Sequence, residues 1–403
     1  MARRVNAISI SGIAGGVWSF VKGGRAAWLT VFASLALSLI GVYSIDVATV
    51  TLPHQVPVLG PVALRQLIYM GVGIGAAVLI LIPHYRAYGF ASWLLLAAAV
   101  ALLVFLLVPF VPSSIVRARN GARSWIDFGP ADFQPSELAK IAYVFVLAWY
   151  LRFSRHHRTF RGLLPPAIIT AIPVGLITLQ PDLGTASLFV PALFAVLVAA
   201  GAKLKHLAAI VLIAAMAAPA AYPILKPHQK ERFVGLFKQL KGDTSSDQDI
   251  NMQSVTAQRV AGAGRWDGTG DRQSRVLLKY NALPERHNDM IFAVICNRFG
   301  FVGGVAVLGL YALWVAGALL TAGLSREPFG RLVPVGLAAF IAVQTFINVG
   351  MNLGVVPIIG ITLPFVSHGG SSMIACWLMT GLVLAISIRQ PNMALRRTFE
   401  WDD

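Results

Sequence analysis

The chain has 403 residues, of which 57% are hydrophobic and 12% charged, with a mean hydropathy of +0.70. Soluble domains carry about 25% charged residues. This composition therefore excludes a soluble enzyme, a disordered chain and a small disulfide scaffold. The net charge is +16, from 33 Lys and Arg against 17 Asp and Glu. In a soluble protein that excess would suggest nucleic acid. Here the cations fall mostly between apolar runs, where the positive-inside rule explains them.

A bilayer span needs about 20 mostly apolar residues. The apolar runs predict an all-α integral membrane protein with about ten transmembrane helices, near 27–47, 63–82, 88–111, 136–152, 165–180, 183–201, 206–225, 289–322, 329–352 and 370–389. Residues 1–26 read as a tail or an interfacial helix without a cleavable signal, 27–390 as one membrane domain, and 391–403 as a tail. The eighth run is long enough to be tilted or broken near Gly300, Gly303 and Gly304. With the N-terminus inside, sixteen Lys and Arg fall in inner segments and three (Arg117, Arg119 and Arg123) in short outer loops. That bias places both termini in the cytoplasm. Residues 226–288 then form one long extracytoplasmic loop between helices 7 and 8, with eleven cations, seven carboxylates and a flexible tip at 242–249. Cys296 and Cys376 lie in apolar runs and read as packing residues.

Ionisable groups inside spans are costly and need a reason. Four polar clusters open the even-numbered spans: Gln134-Pro135-Ser136-Glu137 with Lys140, Gln180-Pro181-Asp182, His287-Asn288-Asp289, and Ser367-His368-Gly369-Gly370-Ser371-Ser372. All four fall at helix N-termini on the outer face. Each alone reads as an ordinary helix cap. Together, beside a basic loop, they point to one outward-facing site for an anionic ligand, because helix N-termini favour anions. Glu137 and Lys140 are three apart and can pair on one helix face. Asp289 lacks a partner at helical spacing in its own span, so it reads as a base or as a cap. Gln344 and Asn348 share a face of span 9 and suit interhelical hydrogen bonds. The Gly- and Pro-rich stretch from Gly350 to Pro364 is irregular backbone at membrane depth, which must be covered or line a cavity.

NGARSWIDFGPADFQPSELAK (120–140), QPDLGT (180–185), LPERHNDMIFAV (283–294) and QTFINVGMNLGVVPIIGITLPFVSHGGSS (344–372) resemble the SEDS family of shape, elongation, division and sporulation proteins. RodA and FtsW belong to it, and the LPERH wording is closer to RodA. The resemblance implies a ten-span peptidoglycan glycosyltransferase of the bacterial cytoplasmic membrane. Such enzymes polymerise lipid II, in partnership with a class B penicillin-binding protein. It implies Asp289 as the essential aspartate, with Glu137, Lys140 and Asp182 at family positions. Transfer needs a base for the acceptor hydroxyl and positive charge at the departing pyrophosphate. Candidates for the charge are Lys140, Arg117, Arg119, Arg123, Lys230 and Arg232. His287, Gln344, Asn348, Ser367 and Ser371 are candidate supporting residues. The sequence specifies no cofactor; helix N-termini, or a divalent cation (Mg or Mn) held by the phosphates, could share that role.

The sequence also departs from the family pattern. Cys296-Asn297-Arg298 replaces the usual acidic pair, and His368 stands where tyrosine is usual. Arg298 lies on the helix face opposite Asp289, with no partner evident from spacing. Two other function classes compete: a flippase for a lipid-linked precursor, and a non-catalytic scaffold for a transpeptidase. A flippase would place polar groups in both leaflets, whereas these concentrate on one side.

Overall fold

The computed structural model describes residues 26–50, 59–112, 114–119, 122–129, 132–154, 156–221, 230, 234 and 252–389. The tails 1–25 and 390–403, the stretch 242–249 and Arg232 lie outside the described residues. The helices are α1 (Ala27–Thr49), α2 (Pro61–Leu79), α3 (Tyr85–Phe90), α4 (Ser92–Leu107), α5 (Pro135–Phe153), α6 (Leu164–Leu179), α7 (Leu183–Ser187), α8 (Phe189–Ala199), α9 (Leu204–Ala221), α10 (Met252–Ala263), α11 (Asp271–Tyr280), α12 (Ile291–Leu324), α13 (Pro328–Asn352) and α14 (Gly370–Ile388).

Among the described residues, six helices are long and apolar enough to cross a membrane: α1, α2, α6 with its preceding turn, α12, α13 and α14. Three shorter apolar stretches, 92–107, 183–199 and 204–213, accompany them. Helix α5 has the length of a span but carries Glu137, Lys140 and Arg152. It sits in the centre, buried along most of its length, and α4 and α13 pack against it. A central helix can hold charge because neighbouring helices supply partners. Proline opens α2, α5 and α13, where its missing N–H costs nothing. Around α5, α1 packs on α12, α12 on α13, α13 on α8, and α14 on α2.

Two features differ from the sequence expectation. First, the bundle is not purely helical. Residues after α4 form an antiparallel three-stranded sheet, β1 (Val116–Arg119), β2 (Ala122–Asp127) and β3 (Asp132–Phe133), in that order. Val116 pairs with Ile126, and Ile126 with Phe133. Ala122, Ser124 and Ile126 are buried on one face of β2, and Val116 and Ile126 pack with Leu106 of α4. This period-2 burial is that of a half-buried strand. Second, two helices form within 252–280, in the stretch read from the sequence as one long loop. Helices α10 and α11 dock on α12, and α10 also reaches α13.

The long helix α12 breaks at Gly300, whose φ is +68° and ψ −167°. A side chain there would run into the main chain of Trp266 and Asp267. The break frees helical N–H groups, which need new acceptors. The loop between α10 and α11 supplies them. Phe301 N–H donates to the Arg265 carbonyl at 2.8 Å, and Val302 N–H to the Trp266 carbonyl at 3.1 Å. The Cys296-Asn297-Arg298 departure from the family pattern falls at this junction. Asn297, fully buried, donates through Nδ2 to the Val260 carbonyl at 2.8 Å and accepts from Ser274 Oγ at 2.7 Å. Arg298 donates to Tyr43 Oη at 2.9 Å and lies 3.9 Å from Asp271. Arg275 of α11 bridges the buried Asp46 of α1 at 2.8 Å and Asp271 at 2.9 Å. Helix α11 is thus tied to α1 by the buried Arg275–Asp46 pair and to α12 by the part-exposed Arg298–Asp271 contact.

Candidate active site

The irregular stretch between α13 and α14 organises the site. Gly354 and Gly360 both have φ of +71°, and Ile361, Leu363, Phe365 and Val366 are buried. Its backbone groups are taken by polar side chains from α2 and α13 and by Ser367 of the stretch itself, as a dry setting demands. Gln66 of α2, fully buried, donates to the Ser367 carbonyl at 3.0 Å and accepts the Gly369 N–H at 3.2 Å. Ser367 Oγ accepts the Leu363 N–H and donates to the Asn288 carbonyl, each at 2.7 Å. Gln344 of α13 donates to the Thr362 carbonyl at 2.9 Å, and Asn348 to the Ile361 carbonyl at 2.7 Å.

Asp289 is half-buried, directly before the α12 cap residue Met290. Its main-chain carbonyl accepts from Asn348 Nδ2 at 2.8 Å and from Asn352 Nδ2 at 3.0 Å. Asn352 Oδ1 also accepts the Ala293 N–H at 3.1 Å. A side chain on α13 therefore does the capping of α12 that a local Asp or Ser usually does. One oxygen of the Asp289 carboxylate lies 3.5 Å from where a Cβ on Gly360 would sit. Gly184, beside Asp182, abuts the Ile359 carbonyl.

Glu137 and Lys140 form an ion pair at 2.9 Å, and both are almost fully buried. Lys140 Nζ also donates to Gln344 Oε1 at 3.0 Å. Glu137 Oε2 is buried without a partner among the described residues. Asp182 caps α7, accepting the Thr185 N–H at 3.0 Å, and Gln134 Nε2 reaches it at 3.4 Å. Ser371 Oγ accepts the Gln134 N–H at 2.9 Å and donates to the Asp132 carbonyl at 2.8 Å. The openings of α5, α7, α12 and α14 are thus linked through one polar network. His287 and His368 face each other with ring centroids 5.9 Å apart, and His368 N–H donates to the His287 carbonyl at 2.9 Å. Burial pushes His368 down to about 4, helped by the positive fields of His287 and Arg65 and opposed by Asp132. Burial also lowers His287.

Arg119 and Arg123 lie on β1 and β2. No ion pair joins Arg123 to this network among the described residues. Lys230 is an isolated described position beside residues outside the described set. No three His, Cys, Asp or Glu side chains converge on a metal among the described residues. Sequence reasoning missed Gln66 and Asn352. Asn352 had a signal, since it lies four residues after Asn348 on the same helical face.

A family model for cell cycle proteins of the FtsW, RodA and SpoVE type matches residues 25–392. The chain belongs to the FtsW/RodA/SpoVE family. It is 33% identical to a probable peptidoglycan glycosyltransferase FtsW of Xanthomonas oryzae, over 80% of this chain and 65% of that protein. It is 33% identical to the stage V sporulation protein E of Bacillus subtilis, over 81% of this chain and 86% of that one. The Xanthomonas relative is thus spanned for slightly under two thirds of its length. Among solved structures, it superposes with a TM-score of 0.76 on a chain of a peptidoglycan synthase complex described as coordinating polymerization and crosslinking. That chain is 31% identical, with 90% of this chain and 98% of the other covered. Thermus thermophilus RodA gives 0.63 at 29% identity, with 90% and 97% covered. Family membership and the apolar helices make this a multi-pass protein of the bacterial inner membrane.

Proposed function

We propose that this protein is a peptidoglycan glycosyltransferase that polymerises lipid II at the outer face of the membrane, with Asp289 as general base. The reading draws on the relatives' names, and it includes ten spans with both termini inside as part of the proposal. It pairs the enzyme with a class B penicillin-binding protein, because the similar synthase chain belongs to a complex that joins polymerization to crosslinking. The acceptor sugar's 4-hydroxyl oxygen attacks the donor's anomeric carbon from the side opposite the pyrophosphate. The C–O bond to the pyrophosphate breaks, the lipid pyrophosphate leaves, and the hydroxyl proton passes to Asp289. One displacement inverts the anomeric carbon.

The observation that carries this reading is the way Asp289 is held. Two asparagines fix its main chain from α13. Its carboxylate sits beside a glycine, where a bulky side chain would crowd a substrate. Fixed placement is what a general base requires. Lys140 is 1% exposed and committed to Glu137 and Gln344. We assign this pair to orienting α5 against α13, and charge at the leaving group to the outer arginines and helix N-termini.

The test is polymerisation of purified lipid II by wild type and Asp289→Ala at matched amounts, with and without the partner transpeptidase and divalent cation. Glycan strands from wild type alone support the reading. Equal product from both removes Asp289 from the mechanism. No product from either under any condition returns the protein to the flippase or scaffold class.

A further inference from the structure

At the membrane face opposite Asp289, two short loops meet. Helix α6 begins there and runs roughly 24 Å before ending beside Asp182. The first loop holds two 3₁₀ turns, His156–Arg158 and Arg161–Leu163. The second follows α8 and turns at Gly201, whose φ is +88°. Buried His157 ties them, its Nε2 lying 2.9 Å from the Ala200 carbonyl. The Arg158 guanidinium lies 3.6 Å from where a Cβ on Gly201 would sit. Phe160 meets the His206 ring edge-on at 6.1 Å. The two loops therefore form one pre-built surface.

That surface carries Arg158, Arg161, Lys203 and Lys205, all exposed. No ion pair engages any of them among the described residues. Residues 154–179 and 200–221 contain no Asp or Glu at all. Glu327, on the same face, is already taken by Arg86 at 2.8 Å, Arg152 at 3.6 Å and Tyr85 Oη at 2.7 Å. Beside the cations, Phe160, Leu164 and Leu204 are 50%, 63% and 66% exposed. Scattered basic loops are ordinary on an inner face. Four cations set together with no unengaged carboxylate nearby among the described residues, against an apolar strip leading into the bilayer, are more specific.

We infer that this surface binds an anionic phospholipid, its phosphate against Arg158 and Lys203 and its acyl chains along Phe160, Leu164 and Leu204. Basic pockets between transmembrane helices bind anionic headgroups in this way. The inference rests on the orientation proposed above only for the name of the leaflet. The readout below is bound lipid, not glycan, so its failure leaves the Asp289 reading untouched.

The full-length protein is delipidated, incubated with equal dioleoyl phosphatidylglycerol and dioleoyl phosphatidylcholine, and the retained lipid is counted by native mass spectrometry. Wild type retains phosphatidylglycerol preferentially. Arg158→Gln with Lys203→Gln cuts that retention about tenfold. Arg326→Gln with Arg331→Gln removes the same charge from the turn between α12 and α13 and the start of α13, and changes retention less than twofold. Arg161→Gln with Lys205→Gln repeats the loss should the first pair not fold. Millimolar inorganic phosphate leaves the lipid in place. Equal loss in the control pair, no preference for phosphatidylglycerol, or displacement by inorganic phosphate each overturns the site.

Discussion

Asn352 holds Asp289 by its main chain: Nδ2 donates to the Asp289 carbonyl at 3.0 Å while Oδ1 accepts the Ala293 N–H at 3.1 Å. One side chain on α13 thus fixes both the residue before α12 and the first turn of α12. Asn352→Leu removes both bonds and leaves buried groups unpaired, a cost of about 1–3 kcal/mol. Displacing a reacting group by about 1 Å costs about 100-fold in rate. We expect glycan synthesis to fall about 10- to 100-fold with substrate affinity nearly unchanged. Asn352→Asp keeps the acceptor and loses the donor, so its rate falls between the two. Lipid II polymerisation across a substrate series reads both.

The Glu137–Lys140 pair predicts an unequal mutant cycle. Lys140→Met leaves a buried carboxylate alone, which costs about 3–5 kcal/mol. Adding Glu137→Gln removes that charge and restores part of the loss. Thermal unfolding in detergent gives the order wild type, double variant, then Lys140→Met. A double variant less stable than the single would show that the pair does not interact as the 2.9 Å contact indicates.

Arg275 ties α11 into the bundle. Arg275→Ala strands the buried Asp46 and removes the bonds to the Asp46 and Val50 carbonyls. Amide hydrogen exchange over 252–280 rises in that variant, while α13 keeps its protection. Unchanged exchange in α11 would mean that the Asn297 contacts alone suffice to hold it.

Much of the bundle is legible in the sequence. Run length and hydropathy reveal a span because the bilayer accepts little else, and the three-residue spacing of Glu137 and Lys140 makes their pairing readable. Gly300 marks the break in α12. The outer helices are harder to read. Asp271 and Arg275 stand four apart and offer a local signal, but their main partner, Asp46, is over 200 residues away. Arg298 finds Tyr43 in the same way. Gln66 is only a polar residue in an apolar run, and its partners, at Ser367 and Gly369, are backbone atoms without a sequence signature.

His368 makes stability depend on pH. Its folded value is about 4, against 6.5 for a free histidine, and burial is the main cause. Between those values the unfolded chain binds the proton more readily, so stability rises with pH through this window and levels off above it. His287 is lowered by burial too and adds the same sign. Melting temperatures from pH 4 to 7.5 therefore climb for wild type, and His368→Phe flattens part of the slope. Parallel curves for the two proteins would remove His368 from the effect.

The junction at Gly300 has a consequence for building chimaeras. Gly264 abuts the Cys296 carbonyl, Gly268 abuts Arg298, and Gly300 abuts Trp266, so that three glycines let two stretches of backbone touch. Two stretches about 30 residues apart in the chain are therefore inherited as one object. An outer segment transplanted from a relative will seat only if residues 296–300 travel with it. A graft cut between them would place a side chain where main chain must lie.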